Sequence, residues 1–241
     1  MIHGVHRFQI YTKRVHKLFA LLLTLLPFGL ILVFGTVGDL DMRTLLLSLA
    51  ISFYRLLVGY LISLVLGVTI ALVLGMSKWG EHFVPILDVM QNVPSFALIP
   101  IFVLAFGYTD TMAILFIATA VIWPILFYCL SAIRTARADW DEAAKIFGAK
   151  GWKRVWYYLL PVSSPAIITG SIVGLSIGWE AVIGLEIIGL SSGIGIVLTQ
   201  ATTAHNNAML LAGIGLLLAL VFVLNRLLWS PLLKHTHYYA E

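Results

Sequence analysis

Two carboxylates, Glu180 and Glu186, lie inside one long apolar run, with Trp179 beside the first of them. A carboxylate in hydrocarbon is costly and needs a partner or an aqueous cavity, so each marks either a solute path or a buried structural hydrogen bond. At about 100° per residue they point about 120° apart on a helix, so they do not form one paired acid site. Trp179 fits an interface anchor as well as a platform for solute. Asn92, Pro94 and Ser95 form a second polar set. Pro94 and Pro100 each remove a helical hydrogen bond, and in a bilayer the freed carbonyls need protein or water as partners. A kinked helix lining a path and a purely structural kink both fit. Asn92 and Ser95 either face that path or bond to another helix. Arg55 is expected to snorkel toward the outer interface.

Catalysis finds little footing. Gly189-Leu190-Ser191-Ser192-Gly193 matches the G-x-S-x-G nucleophile pattern, which has meaning only on a strand–turn–helix elbow with a positioned histidine and acid. Here it joins two apolar runs, and His205 is the only nearby base. No G-x-x-x-x-G-K-[ST] loop is present to cradle a nucleotide. The single Cys129 lies in an apolar run, which leaves no disulfide framework and no thiolate metal site.

The elements that position these residues follow from composition. The 241 residues are 61% hydrophobic and 11% charged, with a mean hydropathy of +1.00, more apolar surface than one soluble core can hide. Runs near the length of about 20 residues that crosses a bilayer give six candidate spans: Leu18–Phe34, Leu56–Leu74, Phe83–Phe106, Met112–Ile133, Pro161–Ile188 and Ala208–Leu228. The first follows a basic flank but lacks a small-x-small cleavage site, so it reads as an uncleaved helix. With both termini in the cytoplasm, 13 of the 15 Lys and Arg residues lie inside, and only Arg43 and Arg55 fall outside. The net charge of +4 therefore reports topology, not nucleic acid. Ala166, Gly170, Gly174 and Gly178 recur every four residues on the fifth span, a face that another helix can approach closely, whether for plain packing or for sliding during transport.

The longest polar stretch runs from Arg134 to Tyr158. Asp139 can cap free amides, Glu142 three residues later can close a capping box, and Ala143 and Ala144 present a flat surface. Gly148 and Gly151 bracket a break, after which Trp152–Leu160 can resume as helix until Pro161. The expected product is a helix of about two turns along the membrane surface, held by the fourth and fifth spans.

Glu142-Ala143-Ala144, three residues, Gly148, nine residues, Tyr158, one residue and Leu160-Pro161 resembles the EAA motif of binding-protein-dependent ABC importer permeases. Five of its six anchors match; Tyr158 replaces an aliphatic residue and can fill the same apolar site. The segment from Gln91 to Pro100 ending at Phe106-Gly107, and Trp179 followed by Glu186 and Gly193-Ile194-Gly195, are similar to the nitrate/sulfonate/taurine branch. The resemblance covers roughly residues 45 to 225 and makes Glu186 the preferred path-lining residue.

What the resemblance implies is an all-α polytopic membrane protein of about six transmembrane helices with the type I ABC importer transmembrane-domain fold. Residues 1–44 hold a tail and the first helix, and 45–241 the core permease with a coupling loop at 134–160. Asp139, Glu142, Ala143, Ala144, Gly148 and Ala149 would dock on a separate ATPase; Asn92, Pro94, Ser95, Trp179, Glu180 and Glu186 would line the translocation pathway. Expected partners are a second permease subunit in a homodimer, two ATPase subunits that hold the ATP and Mg, an extracytoplasmic solute-binding protein and membrane lipid, with no cofactor or metal in this chain. The solute would be a small anion or small organic molecule. A secondary transporter or channel working without an ATPase is the alternative.

Overall fold

The computed structural model describes residues 27, 29, 41–77, 80–136, 142, 144, 146 and 148–236. The first candidate span, Leu18–Phe34, lies outside these, so the described chain holds four helices long and apolar enough to cross a membrane, or five if one bent pair counts as a span. Its elements are α1 (Met42–Met76), α2 (Gly80–Gln91), a 3-10 turn (Ser95–Leu98), α3 (Ile99–Phe106), α4 (Asp110–Thr135), α5 (Trp152–Ile188), α6 (Ile194–Thr203) and α7 (Asn207–Leu233).

Three of the four long helices begin at a side-chain cap, and α5 begins at Gly151 without one. Asp41 accepts from the Thr44 hydroxyl and, at 3.1 Å, from the Thr44 amide, contacts that hold its carboxyl below the usual carboxylate range. Thr109 caps α4 through the Met112 amide at 3.2 Å, and Asn206 caps α7 through the Met209 amide at 3.0 Å. α1 starts fourteen residues before the expected Leu56, because Arg55 does not end the apolar run: its charge is neutralised inside the protein.

α1 and α4 run parallel, and a glycine–isoleucine ladder sets how closely they pack. Gly59 meets Ile117, Gly67 meets Ile125 and Gly75 meets Ile133, each pair eight residues beyond the last. Ser63 reaches across between rungs, donating to the Ala118 carbonyl at 2.8 Å. A Cβ on Gly59 would stand 2.8 Å from the Ile117 Cγ2 and 3.0 Å from the Ile114 carbonyl oxygen, whereas on Gly67 the nearest atom is 3.2 Å away. Gly59→Ala is therefore expected to cost about 1–3 kcal/mol through overpacking and Gly67→Ala visibly less. Thermal midpoints in a neutral detergent check this; equal midpoints for the two would refute the ladder.

α5 packs antiparallel on α4 through the small-residue stripe. A Cβ on Gly170 would sit 2.9 Å from the Pro124 carbonyl, and one on Gly174 3.0 Å from the Val121 Cγ1. That face is thus occupied by helix packing within the chain.

Two π-turns, Val155–Leu159 in α5 and Asn225–Trp229 in α7, each end two residues before a proline, Pro161 and Pro231. Proline offers no amide and its ring crowds the carbonyl four residues back, so the preceding residues widen by one: the Leu160 amide bonds to Val155 and the Ser230 amide to Asn225. The fifth span consequently does not begin at Pro161 but runs from Trp152 straight across it. Tyr158 is buried with Ala71, Leu126, Leu130 and Leu159, filling an apolar site as expected.

The third candidate span, Phe83–Phe106, is not one continuous helix. Its two halves, His82–Gln91 and Ser95–Phe106, meet at 86°. Pro94 stands at the break, while Pro100 falls in the first turn of α3, where a missing amide costs nothing.

Candidate functional sites

At the end where α1, α4 and α5 meet, Arg55 is 2% exposed and Glu186 1% exposed. Arg55 Nη1 donates to Glu186 Oε1 at 2.8 Å and to the Ser192 carbonyl at 2.6 Å; Nη2 donates to Ser192 Oγ at 2.7 Å; Nε donates to Asp110 Oδ1 at 2.8 Å. Glu186 also accepts from the Ser52 hydroxyl at 2.7 Å and, through Oε2, from the Gly195 amide at 2.9 Å. Ser52 in turn accepts from the Ile194 amide at 2.9 Å. One guanidinium and one carboxylate thus tie four segments together, and the carboxylate caps the positive N-terminal end of α6.

This geometry corrects the expectation for Arg55. Its guanidinium is not left to an interface alone: Glu186 and the 189–193 turn hold it from within, and Asp110, 64% exposed at the start of α4, holds it from the surface side. The turn itself requires glycine at its end: Gly193 has φ 121°, and the space a Cβ would need there is filled by the Glu186 carboxylate. The G-x-S-x-G sequence is therefore part of a joint between two helices, with Ser192 as acceptor for Arg55.

At the opposite end lies the loop segment. Glu142, Ala144 and Ile146 are helical, and Gly148 ends the helix at φ 75° while the Ala149 amide bonds back to the Ala144 carbonyl at 2.9 Å. That left-handed residue with its six-to-one hydrogen bond is a Schellman cap. Glu142 and Gly148 are exposed, Ala144 and Ala149 are half-buried, and Ile146 is 83% exposed. Asp139 and Ala143 lie outside the described residues.

The remaining polar residues are not gathered into one cluster. Asn92 and Pro94 are exposed and Ser95 half-buried at the 86° bend, where Asn92 donates to the Asp88 carbonyl at 2.6 Å. Trp179 is buried and stacked on Phe53 at 6.4 Å, whereas its neighbour Glu180 is exposed on the membrane-spanning part of α5. Glu180 and Glu186 point to different surroundings, as their spacing required. No group of three or more potential metal ligands occurs among the described residues.

Residues 63–228 match the family of binding-protein-dependent transport system inner membrane components, and the chain belongs to that family. It is 28% identical over 196 residues to the taurine transport system permease protein of Escherichia coli, covering 81% of this chain and 71% of that protein. It is 32% identical over 196 residues to a protein of Bacillus subtilis named an aliphatic sulfonates transport permease, covering 79% and 71%. Its fold matches a chain of the inward-facing MetNI methionine ABC transporter with a TM-score of 0.71 at 16% identity, over 83% of this chain and 99% of that one. The protein is a permease subunit of an ABC importer with the type I transmembrane-domain fold, similar to permeases named for taurine, sulfonates and nitrate, and its family is one of transport subunits.

Sequence reasoning missed the joint between Arg55, Ser52, Asp110 and Ser192. The signal available was a cation and an anion both stranded in apolar runs, at 55 and 186, each of which needed a partner.

Proposed function

We propose that the Glu142–Ala149 segment is the coupling element through which a separate ATPase, holding the ATP and Mg, drives alternating access in a homodimer of this chain. The observation that carries this is a helix closed by a Schellman cap that leaves Ile146 83% exposed. Glu142 and Ala144 lie on that helix and Gly148 and Ala149 end it, and the EAA resemblance assigns Asp139 and Ala143 to the same docking element. The loop end carries Arg134, Lys150, Lys153, Arg154 and Arg226, against Arg43 and Arg55 at the other, which supports a cytoplasmic loop and cytoplasmic termini. An extracytoplasmic binding protein then docks at the end that holds Arg55.

Asn92, Pro94 and Ser95 at the bend and Glu180 on α5 line the pathway between two copies, with Trp179 behind Glu180. Glu186 serves that pathway indirectly, by fixing the turn that precedes α6. The solute is a small anion or small organic molecule, in keeping with relatives named for taurine and sulfonates.

Tagged protein purified from its native membranes is expected to bring down an ATPase subunit. In a Cys129→Ala background, an Ile146→Cys thiol should be shielded from maleimide in that complex and react once the ATPase is stripped away. Free labelling in the intact complex would overturn the coupling assignment.

A further inference from the structure

The first turns of α5 have two unlike sides. The inner side is closed: Val155, Tyr158 and Leu159 are buried with Ala71, Leu126 and Leu130. The outer side carries three uncovered rings, Trp152 at 73%, Trp156 at 56% and Tyr157 at 80% exposure. The two indoles brace each other edge to face, at 6.0 Å and 75°. Lys153 precedes Trp156 and Tyr157 by three and four residues, which sets it on the side those rings occupy, and it is exposed, as is Lys150 just before the helix.

Rings with an apolar body and one polar tip settle where hydrocarbon meets water. Here they stand at the foot of a span of 37 residues, well beyond the length of about 20 that crosses the hydrocarbon. The first turns of α5 therefore lie at headgroup level. From that depth a lysine extends its amine toward the phosphates while its stem stays on apolar surface.

The charge of this surface has one sign. Between Glu142 and Glu180 the chain has no Asp or Glu, and among the described residues Lys150 and Lys153 make no ion pair. A lysine in the first turn of a helix is opposed by the helix dipole, so Lys153 does not stand there to stabilise α5. An anion supplied by the surroundings offsets that charge, whereas a zwitterionic headgroup brings no net charge to do so.

We propose that Lys150, Trp152, Lys153, Trp156 and Tyr157 form a docking surface for anionic phospholipid. The lysines take the headgroup phosphate and the rings seat the glycerol backbone and the upper part of the chains. Because Lys150 follows Gly148 and Ala149 almost directly, this contact fixes the height at which the fifth span leaves the loop. It goes beyond the coupling assignment and does not depend on it.

The test uses the full-length chain in phosphatidylcholine vesicles that carry a minority of lipid brominated near the head of its acyl chains, either phosphatidylglycerol or phosphatidylcholine. Tryptophan fluorescence is read as that fraction rises. Brominated phosphatidylglycerol is expected to reach the same quenching at about one fifth of the fraction that brominated phosphatidylcholine needs, and the difference should shrink in high salt. Lys150→Gln with Lys153→Gln should bring the two curves together and leave the phosphatidylcholine curve where it was. Trp152→Phe with Trp156→Phe should remove most of the extra quenching. Equal quenching by the two lipids in the wild type, a preference that survives in the lysine variant, or extra quenching that survives loss of both indoles would each overturn the proposal. Loss of ATPase capture by the lysine variant with its lipid preference intact would assign the surface to the ATPase instead.

Discussion

Arg55→Leu is expected to destabilise the protein by about 3–5 kcal/mol, the cost of leaving one member of a buried ion pair without its partner. Glu186 would keep only the Ser52 hydroxyl and the Gly195 amide against full burial of its charge, and the 189–193 turn would lose both Ser192 contacts. Glu186→Gln should be milder, since Arg55 retains Asp110 and Ser192 while an amide replaces the buried anion. The double change Arg55→Leu with Glu186→Leu should recover much of the loss, because two well-packed apolar side chains often replace a buried pair at little cost. Midpoints from fluorescence-detected size exclusion after heating provide the comparison. A single Arg55→Leu variant that melts with the wild type would mean that the joint contributes nothing.

The second large effect concerns transport and leaves stability nearly untouched. Gly148 has φ 75°, and a Cβ there would meet nothing within 4 Å, so a substitution acts through the backbone alone. A β-branched residue is an outlier in that region, whereas asparagine tolerates it. Gly148→Val is therefore expected to lose the Schellman cap and lower uptake by about tenfold or more, taking about 1–2 kcal/mol as the strain on the closed loop. Gly148→Asn should retain most uptake. Uptake by whole cells, normalised to inserted protein, reads both, and ATPase activity of the purified complex should persist in the valine variant. Normal uptake by Gly148→Val would remove the coupling role.

The joint and the loop are opposite kinds of site. At the joint Arg55 and Glu186 are both buried and paired within the chain, so its contribution is rigidity: the turn before α6 moves with α1, α4 and α5. At the loop the Ile146 side chain is left uncovered, which is what a partner requires, while Ala144 packs against the chain's own core. Glu180 resembles the loop in this respect and differs from Glu186, although both are glutamates of one helix.

The apolar runs of the second, fourth, fifth and last spans, the break at Gly148 and the branch of the family were legible in the residues themselves. Hydropathy and the spacing from Glu142 to Pro161 are local properties, and local physics writes them directly into the chain. The fourth and last spans were placed within a few residues on that basis. Continuity across a charge or a proline was not legible. α1 passes Arg55 only because Glu186, 131 residues away, neutralises it, and α5 passes Pro161 only because a π-turn re-pairs the carbonyls. Neither partner can be identified from one position's neighbours.

The sequence by itself determined that this chain lives in a membrane, how its long apolar helices are distributed, and that one small-residue helix stands outside them. Tertiary structure alone decided which buried charge is a structural joint and which remains available. Glu180 and Glu186 have the same chemistry on one helix, and what separates them is what the fold brings against each: Arg55, Ser52 and the Gly195 amide in one case, open space in the other.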